Sequence, residues 1–306
     1  MSAAGGPWTA VPGQAEWLLP DWPAPREKIW GTMRTFGSAI LVLIALLLSG
    51  AAVSSAWLAQ NVVSAQGFAQ LAQPLGDDEP FQAQLSSAVA AQASAAVTDG
   101  LPEGLVSLVE PIVERVVSGF AEAPGYPEAW TQTLERSHTA TFDAGAPTLD
   151  LGPLLNLVSA QIAGEIGTEP AEAGERLLTV SGQDRSAELE TLGRFAESWP
   201  LLAAAAVLAS LLGLLIARRR STTLALIGAG LVVLAGALWL ASGAAARIVE
   251  GQTPANPVAS TFVDGLVPLA QANFQSWLLV LLIGGGAAFI LGLVLRLAAG
   301  SRRGVR

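Results

Sequence analysis

The chain has 306 residues, 52% of them hydrophobic and only 13% charged, with a net charge of −9 and a mean hydropathy of +0.50. That balance excludes an ordinary soluble domain, in which about 25% of residues are charged, and points to a bilayer. The lack of cysteine excludes a disulfide framework and thiolate metal sites, and leaves the redox compartment open.

Residues 1–35 read as a disordered cytoplasmic tail, because a Pro-, Gly- and Ala-rich stretch with scattered Trp8, Trp17 and Trp22 cannot build a core. Those tryptophans also suit contact with the inner leaflet or a partner. Four apolar stretches follow, at 36–58, 199–217, 222–246 and 276–297. Each is near the ~20 residues that cross a bilayer as a helix, the form that satisfies its own backbone in lipid. The first three hold no charged side chain, and the fourth holds only Arg296, near its end, where it can snorkel. The expected fold is an all-α membrane protein, a four-transmembrane-helix bundle with a mainly helical extracytoplasmic domain at 59–198.

Basic residues set the expected orientation. Arg26, Lys28 and Arg34 precede the first span, an Arg turn at 218–221 joins the second and third, and a basic tail at 298–306 ends the chain. All three groups belong on the cytoplasmic side, so both termini are expected inside, with 59–198 and the short loop 247–275 outside. The 59–198 segment is strongly acidic, with five arginines and no lysine. Tryptophan agrees: Trp57, Trp199 and Trp277 fall at the outer ends of their spans, and Trp239 in the outer third of its own. The stretch "AVSSAW" (52–57) has the small residues of a signal-peptide cleavage site, but the apolar run continues to full span length, which favours an uncleaved helix. Small residues at four-residue spacing, Gly50 and Ser54, then Ala205, Ala209 and Gly213, then Gly284, Ala288 and Gly292, predict close helix packing and offer faces for homo-oligomer contact.

About 140 residues between the first two spans are enough for one compact domain. The stretch 61–75 is expected to extend span one outward. Residues 77–97 open with acidic residues and Pro80, then place Phe81, Leu85, Val89 and Val97 on or near one helix stripe. Residues 104–120 repeat the amphipathic pattern, with Pro111 as a kink or boundary. Next, 127–142 puts Trp130, Leu134, His138 and Phe142 at four-residue steps, hence on one face. Residues 148–166 predict a short extended stretch and then a helix, with Asp150 or Gly152 near its start, Pro153 in its first turn and a stripe of Leu154, Leu155, Val158, Ile162 and Ile166. A short strand is expected within 175–182 and a helix over 184–199 running directly into span two. The junctions 98–104, 123–127 and 143–147 read as loops. In the last outer loop, 262–274 reads as amphipathic, with Phe262, Leu266 and Leu269 turned to the bilayer or the outer domain.

Candidate sites are few. His138, the single histidine, is in register with apolar neighbours and reads as part of a packed face, with a ligand or partner contact as the functional alternative. Catalysis would need Asp143 and Asp150 to converge on it, and no nucleophile motif or paired-ligand spacing accompanies it. The triplet Asp77, Asp78 and Glu79 suggests calcium, which needs six to eight oxygens, but no EF-hand spacing surrounds it; a charge-complemented helix start is the simpler reading. No catalytic, cofactor-binding or metal residue is assigned, no cofactor is expected, and the acidity argues against nucleic acid.

The order of parts, with "AWTQTLERSH", "LDLGPLLNLV", "SWPLLAAAAVL", an Arg-rich turn and "STFVDGLVPLAQANFQSWLLVL" (260–281), resembles a group of uncharacterised actinobacterial integral membrane proteins over roughly residues 36–298. The resemblance implies the same topology and carries no activity or catalytic residues. Where that group often has basic residues before the last span, this chain has Gln271 and Asn273. The expected role is that of a non-catalytic cell-envelope protein whose outer domain binds or senses a protein, lipid or cell-wall partner. An oligomeric transporter or channel component is the alternative, although the spans carry no mid-membrane polar residues to line a path.

Overall fold

The computed structural model describes residues 25–87, 119, 122–146, 148–170, 177–179, 185–251 and 257–301. The expected helix over 104–120, the loop 98–104, most of the tail 1–35 and the basic residues from 302 onward lie outside the described residues, apart from Gly119 within 104–120.

The first helix, α1 (Pro25–Leu58), continues into a π-helical turn (Ala59–Val63), after which α2 (Ala65–Ala72) and a 3-10 turn (Gln73–Asp77) follow. Helix α3 covers residues 79–87. Then come α4 (Tyr126–Ala144), strand β1 (Thr148–Asp150), α5 (Gly152–Ile166), strand β2 (Leu177–Thr179) and α6 (Ser186–Glu197). The chain closes with α7 (Trp199–Ile216), α8 (Arg220–Glu250) and α9 (Pro257–Ser301). Helices α1, α7, α8 and α9 are each long and apolar enough to cross a membrane. Their outward faces carry exposed Leu201, Val207, Leu240, Val280 and Ile283, the apolar surface that lipid requires.

The spans form two close pairs, α1 with α7 and α8 with α9. In the second pair, a Cβ on Gly285 would fall 2.8 Å from the Gly228 carbonyl oxygen, and one on Gly292 would fall 2.5 Å from the Ala225 nitrogen. Backbones meet there because no side chain intervenes. This corrects the expected face of Gly284, Ala288 and Gly292, since Gly284 has open space around it. Two steps of four rotate about 80° around a helix of ~3.6 residues per turn, whereas the seven residues from Gly285 to Gly292 return to within about 20°. In the first pair, Ala206, Ala209 and Gly213 are buried, and Ser38 of α1 donates to the Gly213 carbonyl at 2.9 Å. Ala206 thus takes the inner place expected of Ala205. The two pairs meet where Leu46 of α1 packs on Gly230 and Leu234 on Gly50.

Three boundaries differ from the sequence reading. The extension of span one over 61–75 breaks at Ser64, whose ψ of 121° is extended and whose Oγ accepts from Gly67 N at 3.2 Å, so that a new helix starts there. The loop expected over 247–275 is mostly helical, because α9 runs 45 residues without interruption from Pro257. At ~1.5 Å per residue that is about 68 Å, far beyond the ~30 Å apolar thickness of a bilayer. Between α6 and α7 the helical run is interrupted at Ser198, two residues before Pro200, which has no N–H to donate.

The elements between α1 and α7 build a separate core. Phe81, Leu85, Trp130, Leu134, Leu154 and Val158 are its central side chains, with Leu75 and Tyr126 beside them. Phe81 and Trp130 pack with ring centroids 5.4 Å apart, and the Trp130 indole donates to the Gln73 carbonyl at 3.2 Å. Phe262, Leu266 and Leu269 of α9 pack against this core, which decides between the two surroundings expected for them. Strands β1 and β2 pair antiparallel, with Leu149 opposite Leu178, and the expected strand and the helix after Asp150 are both present.

Candidate functional site

The four-residue spacing on α4 produces the face it predicts. Trp130, Leu134 and His138 are buried, and Phe142 stacks on the His138 ring at 4.6 Å. Phe68 of α2 approaches the same ring at 5.4 Å. Helix α4 ends at Gly145, whose φ of 67° is left-handed backbone that favours glycine.

The ring's polar edge has a specific partner. His138 Nε2 lies 2.8 Å from the Val62 carbonyl oxygen. A carbonyl only accepts, so Nε2 carries the proton and donates. Val62 belongs to the π turn that ends span one, and the chain turns away at Ser64, so carbonyls at that end lose their helical donors. His138 thereby caps the end of the first span from the neighbouring unit. Nothing in the sequence pointed to Val62, because a π turn has no pattern of its own.

Other bonds gather at the same joint. Ser55 Oγ, fully buried, donates toward the Phe195 and Ala196 carbonyls at 2.5 and 3.1 Å, tying α1 to the end of α6. Trp57 Nε1 donates to Asn273 Oδ1 at 2.8 Å, and its ring meets Phe274 edge-on at 5.2 Å, tying α1 to α9. Asn61 donates to the Trp57 carbonyl at 3.0 Å. Gly67 lies directly against the Gln60 carbonyl, where any Cβ would collide with backbone.

The acidic candidates are engaged elsewhere. Asp150 is buried; its Oδ2 pairs with Arg136 Nε at 2.8 Å and its Oδ1 accepts from Gly152 N at 2.9 Å, which fastens the β1–α5 corner. Asp143 is exposed near the end of α4. Asp78 Oδ1 accepts from Phe81 N at 2.9 Å and caps α3, as a charge-complemented helix start requires. Among the described residues no group of three His, Asp or Glu side chains could hold a metal ion. Burial and then the nearby charge of Asp77 push the Tyr126 hydroxyl up to about 12, against a hydrogen bond with Gln82 that lowers it. Opposite the buried face of α4, Gln132, Arg136, Thr139 and Asp143 form an exposed polar stripe.

His138 therefore positions elements: among the described residues its polar contact is a backbone carbonyl. No protein-family model, curated protein or solved structure matches the chain.

Proposed function

We propose that this is a non-catalytic membrane protein of the cell envelope. Its unit between spans one and two recognises a partner on the outer side, and the spans take up the effect of binding. The observation that carries the reading is the bond from His138 to the Val62 carbonyl, which links a helix with an exposed polar face to the last turn of span one. The packing of Phe262, Leu266 and Leu269 into the unit's core gives span four a second link. Binding that shifts α4 would be felt at both places, since packed elements move as bodies. The acidic character of 59–198 suits a basic or cationic partner.

The test is photo-crosslinking in living cells, with a photoreactive residue placed in turn at Gln132, Thr139 and Asp143. A reproducible protein or glycan adduct at these positions is expected. Labelling no different from that at a membrane-buried control position would overturn the reading.

A further inference from the structure

At the arginine-turn end the two span pairs separate, and a cleft of about 1500 Å³ opens between α1 and the α8–α9 pair. Its walls are apolar, from Val42 and Leu46 on one side and Leu226 on the other, while its mouth carries Arg218, Arg219, Arg220 and Arg296. None of these four arginines forms a salt bridge among the described residues, and no acidic side chain lines the cleft. The cleft narrows toward the contact of Leu46 with Gly230, where a Cβ on the glycine would fall 2.5 Å from the leucine side chain. Along α1 the lining runs from Thr35 to Leu46, eleven residues, so the depth is about 16 Å. That is about half of the ~30 Å apolar thickness of a bilayer, the reach of one leaflet. A second apolar groove of about 400 Å³ borders Arg220 and Leu295 from the α7 side. Two apolar channels thus meet at one arginine.

We infer that this end of the bundle is a binding site for an anionic glycerophospholipid, its phosphate held at the arginine turn and its acyl chains laid in the two grooves. Arginines that served only to orient the chain would need no leaflet-deep cleft behind them. Guanidinium groups bind phosphate with paired, charge-assisted hydrogen bonds, and Ser221 and Thr222 supply hydroxyls at the same level. Basic pockets between spanning helices are a recognised form of headgroup binding.

Native mass spectrometry of the purified full chain tests this, with phosphatidylglycerol and phosphatidylcholine as probes at equal concentration. One phosphatidylglycerol adduct is expected at tenfold or greater preference. The triple variant R218Q/R219Q/R220Q should lose the preference. Ala39→Trp and Leu226→Trp, which fill the cleft without touching its charge, should each lower the phosphatidylglycerol adduct about tenfold while elution and melting stay unchanged. Arg194→Gln, which removes a charge from α6 and lines neither groove, should leave it in place. Equal adducts for both lipids, an adduct that survives both tryptophan variants, or one that appears only after residues 1–24 are deleted would overturn the assignment.

Discussion

The indole of Trp57 donates to the side-chain oxygen of Asn273 across the boundary between the first and last spans, at 2.8 Å and partly buried. Asn273 accepts through its amide oxygen, which a lysine or arginine in its place would have no lone pair to do. A double-mutant cycle with Trp57→Phe and Asn273→Ala is expected to show a coupling of about 1 kcal/mol, read from melting in detergent. Additive effects would mean that the bond does not hold the two spans.

The joint at His138 should be intolerant in a particular way. Gly67→Ala places a methyl against the Gln60 carbonyl and is expected to cost about 2 kcal/mol or more, because backbone must shift. His138→Phe keeps a ring between Phe68 and Phe142 but leaves the Val62 carbonyl without its donor, for a loss of about 1–2 kcal/mol. Hydrogen exchange should quicken locally at residues 59–68 in the second variant; a uniform change across the chain would contradict the capping role.

Thr133 is fully buried, and its hydroxyl has no hydrogen-bond partner among the described residues. Thr133→Val has nearly the same shape and removes the unmet polar atom, so it should stabilise the protein by about 1 kcal/mol. A lower melting temperature would show that the hydroxyl has a partner.

Tyr126 gives the unit a dependence on alkaline pH. Its hydroxyl is pushed up to about 12 from an ordinary 10.0, so between those values the folded state holds a proton that the unfolded state has released. Stability is then full below about pH 10 and falls as pH rises toward 12, by about 2–3 kcal/mol in all. Tyr126→Phe should flatten that part of the pH–stability curve, and an unchanged slope would assign the loss to other groups.

Orientation can be tested directly because the chain has no cysteine. Cysteine introduced by Thr139→Cys should react with an impermeant maleimide on intact cells, and by Ser221→Cys only after lysis. The reverse pattern would place the arginine turn outside.

Span positions were legible from apolar run length alone, and α4 from the four-step register of Trp130, Leu134 and His138, since both are repeated local signals. What escaped was whatever depends on partners distant in sequence. Gly284 and Gly285 are equally small, and only the position of Gly228 on α8 decides which of them packs. The continuity of α9 was masked by Pro268 and by the polar residues before Trp277, which read as a loop until a core exists to bury the face of Phe262 and Leu266. His138 was correctly read as a packed ring, but its carbonyl partner 76 positions away had no local trace.

The single 45-residue helix Pro257–Ser301 also has the form of a lever, with Pro268 along its arm. Phe262 and Trp277 are fifteen residues apart on it, about 22 Å along the axis. A tilt of about 5° in the membrane, of the kind that a change in bilayer thickness demands, would swing Phe262 by about 2 Å against Phe68 and Phe81. On this geometry bilayer thickness is itself an input to the unit's packing. Spin labels at positions 262 and 68 in thin and thick bilayers would report it as a change in separation, and an unchanged separation would show that the membrane-embedded half does not carry the other with it.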